Sequence, residues 1–167
     1  SQPRERIAGW DLFLFEMNRL NEKGGRCMFM GSSEKVLALI KQRAAVDYPN
    51  LKVVTYSPPY KPEFSQEDNA AIVAAINEAN PDLLWIGMTA PKQEKWIYDN
   101  IRLAGAKVAI GVGGSFDVMA GNVKRAPKIF RRLGLEWFHR LITQPTRWRR
   151  MMRLPKFALT VLRTRGR

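Results

Sequence analysis

The chain has one cysteine, Cys27, and one histidine, His139, among its 167 residues. A single thiol excludes an internal disulfide and fits a reducing compartment. Cys27 lies in the run RCMFMG, which reads as a strand, so an inert buried thiol is expected there rather than a nucleophile. A single histidine excludes a His-based triad or metal cluster unless His139 itself serves, and its setting in LEWFHRLI suits a packing or surface role. Neither H-E-x-x-H nor C-x-x-C occurs, nor the D-x-D carboxylate pair that can hold a divalent metal. No apolar run approaches the roughly 18 residues of a membrane span, and no signal peptide is expected at the start. A cytoplasmic location is the expectation.

Acidic residues are scarce in one region only. Residues 1–123 carry 14 Lys/Arg against 14 Asp/Glu, whereas residues 124–167 carry 14 Lys/Arg against the single acid Glu136. The whole net charge of +13 therefore comes from the last quarter of the chain. Such a block points to an anionic partner, whether nucleic acid, a phospholipid surface or substrate phosphates; the bland alternative is a solvated basic face.

What is present is enough for one domain with a core, since 46% of the residues are apolar. Residues 9–20 (GWDLFLFEMNRL) have helical spacing. A strand follows over residues 26–31, then Ser32 and Ser33 as caps for the helix EKVLALIKQRAAV. The unit recurs. Strand 51–56 leads through the Pro-rich SPPYKPEF to a helix whose SQED start resembles a capping box. Strand 82–88 leads to QEKWIYDNIRLA, and strand 107–112 leads to GGSFDVMAG. Four strands alternating with helices predict an α/β fold, a Rossmann-like parallel sheet flanked by helices. Beyond Lys124 no strand pattern appears. Helical periodicity over 126–142 is interrupted at Pro145 and again at Pro155, which predicts a basic, aromatic, helical C-terminal appendage over residues 126–167 on a core of residues 1–125.

In a parallel sheet, ligands bind beyond the carboxyl ends of the strands, where loops meet helix N-termini. Three stretches fall there: Gly31-Ser32-Ser33, Thr89 to Gln93, and Gly111 to Asp117. Each offers small residues and backbone N–H groups at the positive end of a helix dipole, a setting suited to phosphate. GVGGSFD lacks G-x-G-x-x-G spacing, so its glycines (Gly113 and Gly114 among them) fit a phosphate loop and a tight turn about equally. Asp117 fits either a contact to ribose hydroxyls or a helix cap, and Gln93 either a ligand contact or a helix start. Lys92, Glu94 and Lys95 read by default as solvent-facing helix charges, and Trp96 and Ile97 as core.

APKQEKW, KVAIGVGGSFDVMAGNVKRAP, LGLEWFHRL and QPTRWRRM, in that order, resemble successive signatures of the WecG/TagA/CpsF family of bacterial glycosyltransferases, and RERIAGWDL resembles the family's R-V-T-G-x-D-L segment. The resemblance covers nearly the whole chain. It implies an inverting transfer of an N-acetyl-hexosamine-type sugar from a UDP donor to a polyprenyl-diphosphate-linked acceptor at the inner face of the membrane, in teichoic acid, common antigen or capsule synthesis. By position, Gln93 matches the family's active-site glutamine and Arg6 its substrate-binding arginine. Asp117 matches the aspartate that contacts the nucleoside. Arg140, Arg147 and Arg150 match arginines that close over the site and help bind the diphosphate. With Gly31, Thr89, Lys92, Gly113 and Gly114 these form the expected substrate-binding set. No cofactor and no metal are expected, and guanidinium groups would supply the positive charge that a departing UDP requires.

The resemblance also implies a preceding segment with an aspartate, in a D-G motif, acting as general base on the acceptor hydroxyl. Here the chain starts at Ser1, five residues before Arg6. The 167 residues read as either part of a longer enzyme or a shortened homologue, and alone they are expected to be inactive or severely impaired, because an inverting displacement needs that base. An apolar patch uncovered on that side would also drive homo-oligomers. The basic tail, with Trp137, Phe138, Trp148 and Phe157, is expected to lie on anionic lipid. A nucleic-acid-binding module is disfavoured, since no nucleic-acid motif appears and the core is charge-balanced. A nucleotide-sugar-binding regulator without turnover is the remaining alternative.

Overall fold

The computed structural model describes residues 9–123 together with residues 126, 127, 130 and 142. The chain divides into two units, residues 1–123 and 124–167, and the architecture that follows is that of the first.

Among its described residues nine elements alternate: α1 (Gly9–Glu22), β1 (Arg26–Gly31), α2 (Glu34–Asp47), β2 (Lys52–Tyr56), α3 (Gln66–Ala79), β3 (Leu83–Gly87), α4 (Lys92–Asn100), β4 (Val108–Gly111) and α5 (Ser115–Met119). The strands form one parallel sheet in the order β2-β1-β3-β4. The expected α/β class and flanked parallel sheet are therefore present. The order reverses between β1 and β3: the chain leaves β1 toward β2 and leaves β3 toward β4. A reversal of this kind opens a crevice at the carboxyl ends of the two central strands.

Strand residues alternate between two cores, as the period of two requires. On one face Cys27, Phe29, Leu83 and Trp85 pack with Phe13, Met17 and Leu20 of α1, Leu37, Ile40 and Ala44 of α2, and Phe116 and Met119 of α5. On the other, Met28, Met30, Leu84 and Ile86 pack with Ile72, Ile76 and Ala79 of α3 and Trp96 of α4. Each fully buried side chain of this size stabilises the fold by about 1.5–3 kcal/mol. Because β1 and β3 are covered on both faces, their sequences read as continuous apolar runs rather than alternating ones.

Local signals set the element ends. Ser33 caps α2 by accepting from the Val36 N–H. Ser65 and Asp68 form the reciprocal capping box of α3, so the SQED reading holds. The fourth helix is shorter than its periodicity predicts. It stops at Asn100, whose Nδ2 donates back to the Trp96 carbonyl at 3.0 Å while its own carbonyl accepts from the Leu103 and Ala104 N–H groups in a tight turn.

Candidate active site

Three of the four strands end on glycine: β1 on Gly31, β3 on Gly87 and β4 on Gly111. Gly31 and Gly87 are register partners, and Ile86 of β3 pairs with Gly111. A Cβ at Gly31 would lie 3.0 Å from the Gly87 carbonyl carbon and oxygen, and its φ of 109° is a conformation only glycine adopts easily. At these three strands the carboxyl rim of the sheet is a glycine floor, with no side chains of its own, on which other residues pack. Ser32, next in the chain, takes φ 62°, an uncommon conformation for a residue with a side chain and one that gathers at ligand sites.

Gln93 sits over this floor. It occupies the first turn of α4 after the Thr89–Pro91 corner, where Lys92 N–H and Gln93 N–H donate to the Thr89 carbonyl and the Ala90–Pro91 peptide bond is cis. The residue is only 8% exposed, and its side chain packs on Gly111: a Cβ there would lie 2.9 Å from Gln93 Cδ and 3.0 Å from Nε2. Nε2 donates to Glu94 Oε1 at 2.8 Å, and a carboxylate only accepts, so this bond fixes which end of the amide is which. The remaining atom, Oε1, is buried and has no partner among the described residues. It faces the loop after β4, lying 3.8 Å from where a Cβ on Gly113 would stand. A buried acceptor left unsatisfied costs about 1–3 kcal/mol. Its unmet need is a donor.

The other rim residues are distributed as follows. Thr89 is exposed at the corner, and Gly113 (φ 47°) and Gly114 form the turn that leads into α5. Asp117 lies on α5, half-buried, its carbonyl accepting from the Val123 N–H. Gly31, Gln93, Gly113 and Gly114 therefore belong to one rim. Lys92 is engaged elsewhere than in bulk solvent: its ammonium donates to the Lys61 carbonyl and stands 3.5 Å above the Phe64 ring. Loss of hydration in that position lowers its pKa from the ordinary lysine value. Arg6, Arg140, Arg147 and Arg150, with His139, lie outside the described residues. Among those described, no three His, Cys, Asp or Glu side chains are grouped to hold a metal ion, and no helix is long and apolar enough to cross a membrane.

The sequence reading put Gly111 at the rim but missed that Gln93 packs on it, and it missed Gly87, which lies under Phe116; the visible signal was that strands WIG and AIG both stop on glycine. Phe64 gave no signal at all, being one more apolar residue in a Pro-rich loop.

In a doubly wound sheet, the rim at the strand-order reversal, where a buried amide here stands at a helix start, is where ligands of this class of fold bind. The family model described as "Glycosyl transferase WecG/TagA/CpsF family" matches residues 1–167, and the chain belongs to that family. It is 42% identical over 160 residues to the N-acetylglucosaminyldiphosphoundecaprenol N-acetyl-beta-D-mannosaminyltransferase of Bacillus subtilis (strain 168), and 39% identical over 160 residues to the protein of the same name in Bacillus spizizenii. Each match covers 96% of this chain and 60% of the relative, so the chain spans about three fifths of the length of these proteins.

Proposed function

We propose that the chain carries the donor-binding part of an inverting glycosyltransferase that moves an N-acetyl-hexosamine-type sugar, of the N-acetylmannosamine or N-acetylmannosaminuronate class, from UDP to a polyprenyl-diphosphate-linked acceptor in cell-surface polysaccharide synthesis. The observation that carries this reading is Gln93 Oε1, buried at the glycine floor without a partner among the described residues. That atom accepts hydrogen bonds and cannot hold a phosphate oxygen, so it suits the hydroxyl or acetamido N–H of a sugar. The names of the relatives support the sugar and the lipid-linked acceptor.

In this reading the acceptor hydroxyl attacks the anomeric carbon, and the bond from that carbon to the diphosphate oxygen breaks with inversion. Gln93 holds the sugar, Asp117 the ribose, and the Gly113-Gly114 turn and the start of α4 lie against the diphosphate. Arg6, Arg140, Arg147 and Arg150 supply the charge that a leaving UDP needs, without a metal. The attacking hydroxyl requires a base. The aspartate that the family resemblance gives that role has no match in residues 1–167, so these residues by themselves are proposed to bind donor with little or no turnover. The basic tail is proposed to rest on anionic lipid, which flotation with phosphatidylglycerol vesicles tests: equal recovery with and without residues 126–167 removes that part.

Calorimetry tests the central part. The chain should bind UDP–N-acetylmannosamine more tightly than UDP by roughly two- to tenfold, the worth of one net hydrogen bond. Gln93→Ala should erase that margin and leave UDP binding in place. A chain that bound the two nucleotides alike, or a Gln93→Ala variant that kept the margin, would overturn the assignment.

A further inference from the structure

The loop between β2 and α3 is tied to the rim from several sides. At its start Ser57 Oγ donates to the Ser32 carbonyl at 2.9 Å, in the turn that follows β1. At its end the Ser65–Asp68 capping box seats it on α3, and Lys61 Nζ pairs with the Asp68 carboxylate at 2.8 Å. The third tie comes from another element. Lys92, the first residue of α4, reaches the loop with its ammonium, donating to the Lys61 carbonyl and covering the Phe64 ring at 3.5 Å. Phe64 in turn packs against the core cluster that contains Trp96 of α4. Between these ties Pro58 and Pro59 contribute no N–H, and Tyr60 stands fully exposed. A lysine at this place in a rim invites assignment to substrate phosphate, yet its donors and its cation–π face are directed to the protein's own loop.

We infer that Lys92 is a positioning residue: its ammonium straps the 57–64 loop to the first turn of α4, next to Gln93, and it influences donor binding through that loop rather than by touching the diphosphate. The strap rests on geometry alone. Its consequence for the donor rests on the function proposed above.

Two measurements separate these halves. The first is the rate at which chymotrypsin cuts the chain without nucleotide after the exposed Tyr60. Lys92→Met keeps the stem and removes the charge and donors, so the loop should open more often and cleavage there should rise about tenfold, the factor expected for losing a charge-assisted hydrogen bond. The urea midpoint should stay close to the parent, and Lys92→Arg should restore most of the resistance. Unchanged cleavage after Tyr60 in Lys92→Met overturns the strap.

The second is a double-mutant cycle on UDP–N-acetylmannosamine affinity, pairing Lys92→Met with Phe64→Leu, which removes the ring and keeps apolar bulk. Both single variants should weaken binding, and the double variant should be no weaker than the worse single. Loss confined to Lys92→Met, with Phe64→Leu harmless, would place the ammonium on the diphosphate and overturn the inference, as would affinity unchanged in both. If the unaltered chain bound no donor, the proposed function and the second half of this inference would fall together, and the proteolysis measurement would still decide the strap.

Discussion

Gly87 and Gly111 end adjacent strands of one sheet, and changing each to alanine should do opposite things. At Gly87 the new Cβ would lie 2.5 Å from Phe116 Cε2 and 2.7 Å from Cγ. Carbon contacts are comfortable from about 3.5 Å, so the ring would have to retreat by roughly 1 Å. It has little room, being 1% exposed and set edge-on against Phe29 with centroids 5.3 Å apart. Overpacking of this kind costs about 1–3 kcal/mol, and for a chain of this length each kcal/mol lowers Tm by about 2–4 °C. At Gly111 the Cβ would lie 2.9 Å from Gln93 Cδ, so the displaced group is the far end of a flexible side chain. The amide would move by about 0.5–1 Å, and alanine at a position whose φ it can adopt is favoured over glycine by about 0.4–1 kcal/mol. Urea unfolding followed by tryptophan fluorescence should therefore show Gly87→Ala clearly destabilised and Gly111→Ala close to the parent. Calorimetry should show Gly111→Ala losing the margin by which UDP–N-acetylmannosamine outbinds UDP, roughly two- to tenfold. A Gly111→Ala chain that kept this margin, or that unfolded as easily as Gly87→Ala, would refute the link from glycine floor to Gln93 to sugar.

Two further expectations concern titration. Asp82 accepts from Lys107 Nζ at 2.6 Å and from the Arg26 N–H at 2.9 Å, and chiefly the lysine holds its carboxyl below the usual aspartate value. A carboxyl whose folded pKa is depressed adds stability above its unfolded value of about 3.9, and that stability is lost as pH falls through the folded value. Urea midpoints measured on acidification should fall less steeply for Asp82→Asn than for the parent; identical slopes would count against this bond. Cys27 is fully buried in β1, and loss of hydration pushes its thiol up to about 12. It should resist a disulfide reagent at about pH 8 while folded and react fully in denaturant, since the thiolate is the reactive form. Rapid labelling of the folded chain would show that β1 is not covered.

The four strands were legible from the sequence to within a residue or so at their ends, because apolar runs bounded by Gly and Pro have few other readings. The start of α3 was legible too, since a capping box acts within four residues. By spacing alone Gln93 fitted either a ligand contact or a helix start, and only the family resemblance gave it a place in the active site. Gln93 lies in the first turn of α4, and the absence of a side chain at Gly111, 18 positions later, lets its amide be buried there with one atom unpaired among the described residues. Lys92 read as a solvent charge because its partners, Lys61 and Phe64, stand about thirty residues back on another loop, beyond the reach of helical spacing. The arginines expected to face the diphosphate lie outside the described residues, so their part still stands on sequence likeness.

By itself, the amino-acid order determined the alternation of strands and helices, the caps, the crowding of basic residues after position 123 and the family to which the chain belongs. Only the tertiary structure decided the strand order β2-β1-β3-β4, the pairing of Gly31 with Gly87, the burial of Gln93 over Gly111 and the hold of Lys92 on the loop before α3. Propensities and caps act between neighbours a few residues apart. Which distant residues meet is chosen by how two faces of a sheet fill with side chains, and that choice is made by the packed whole.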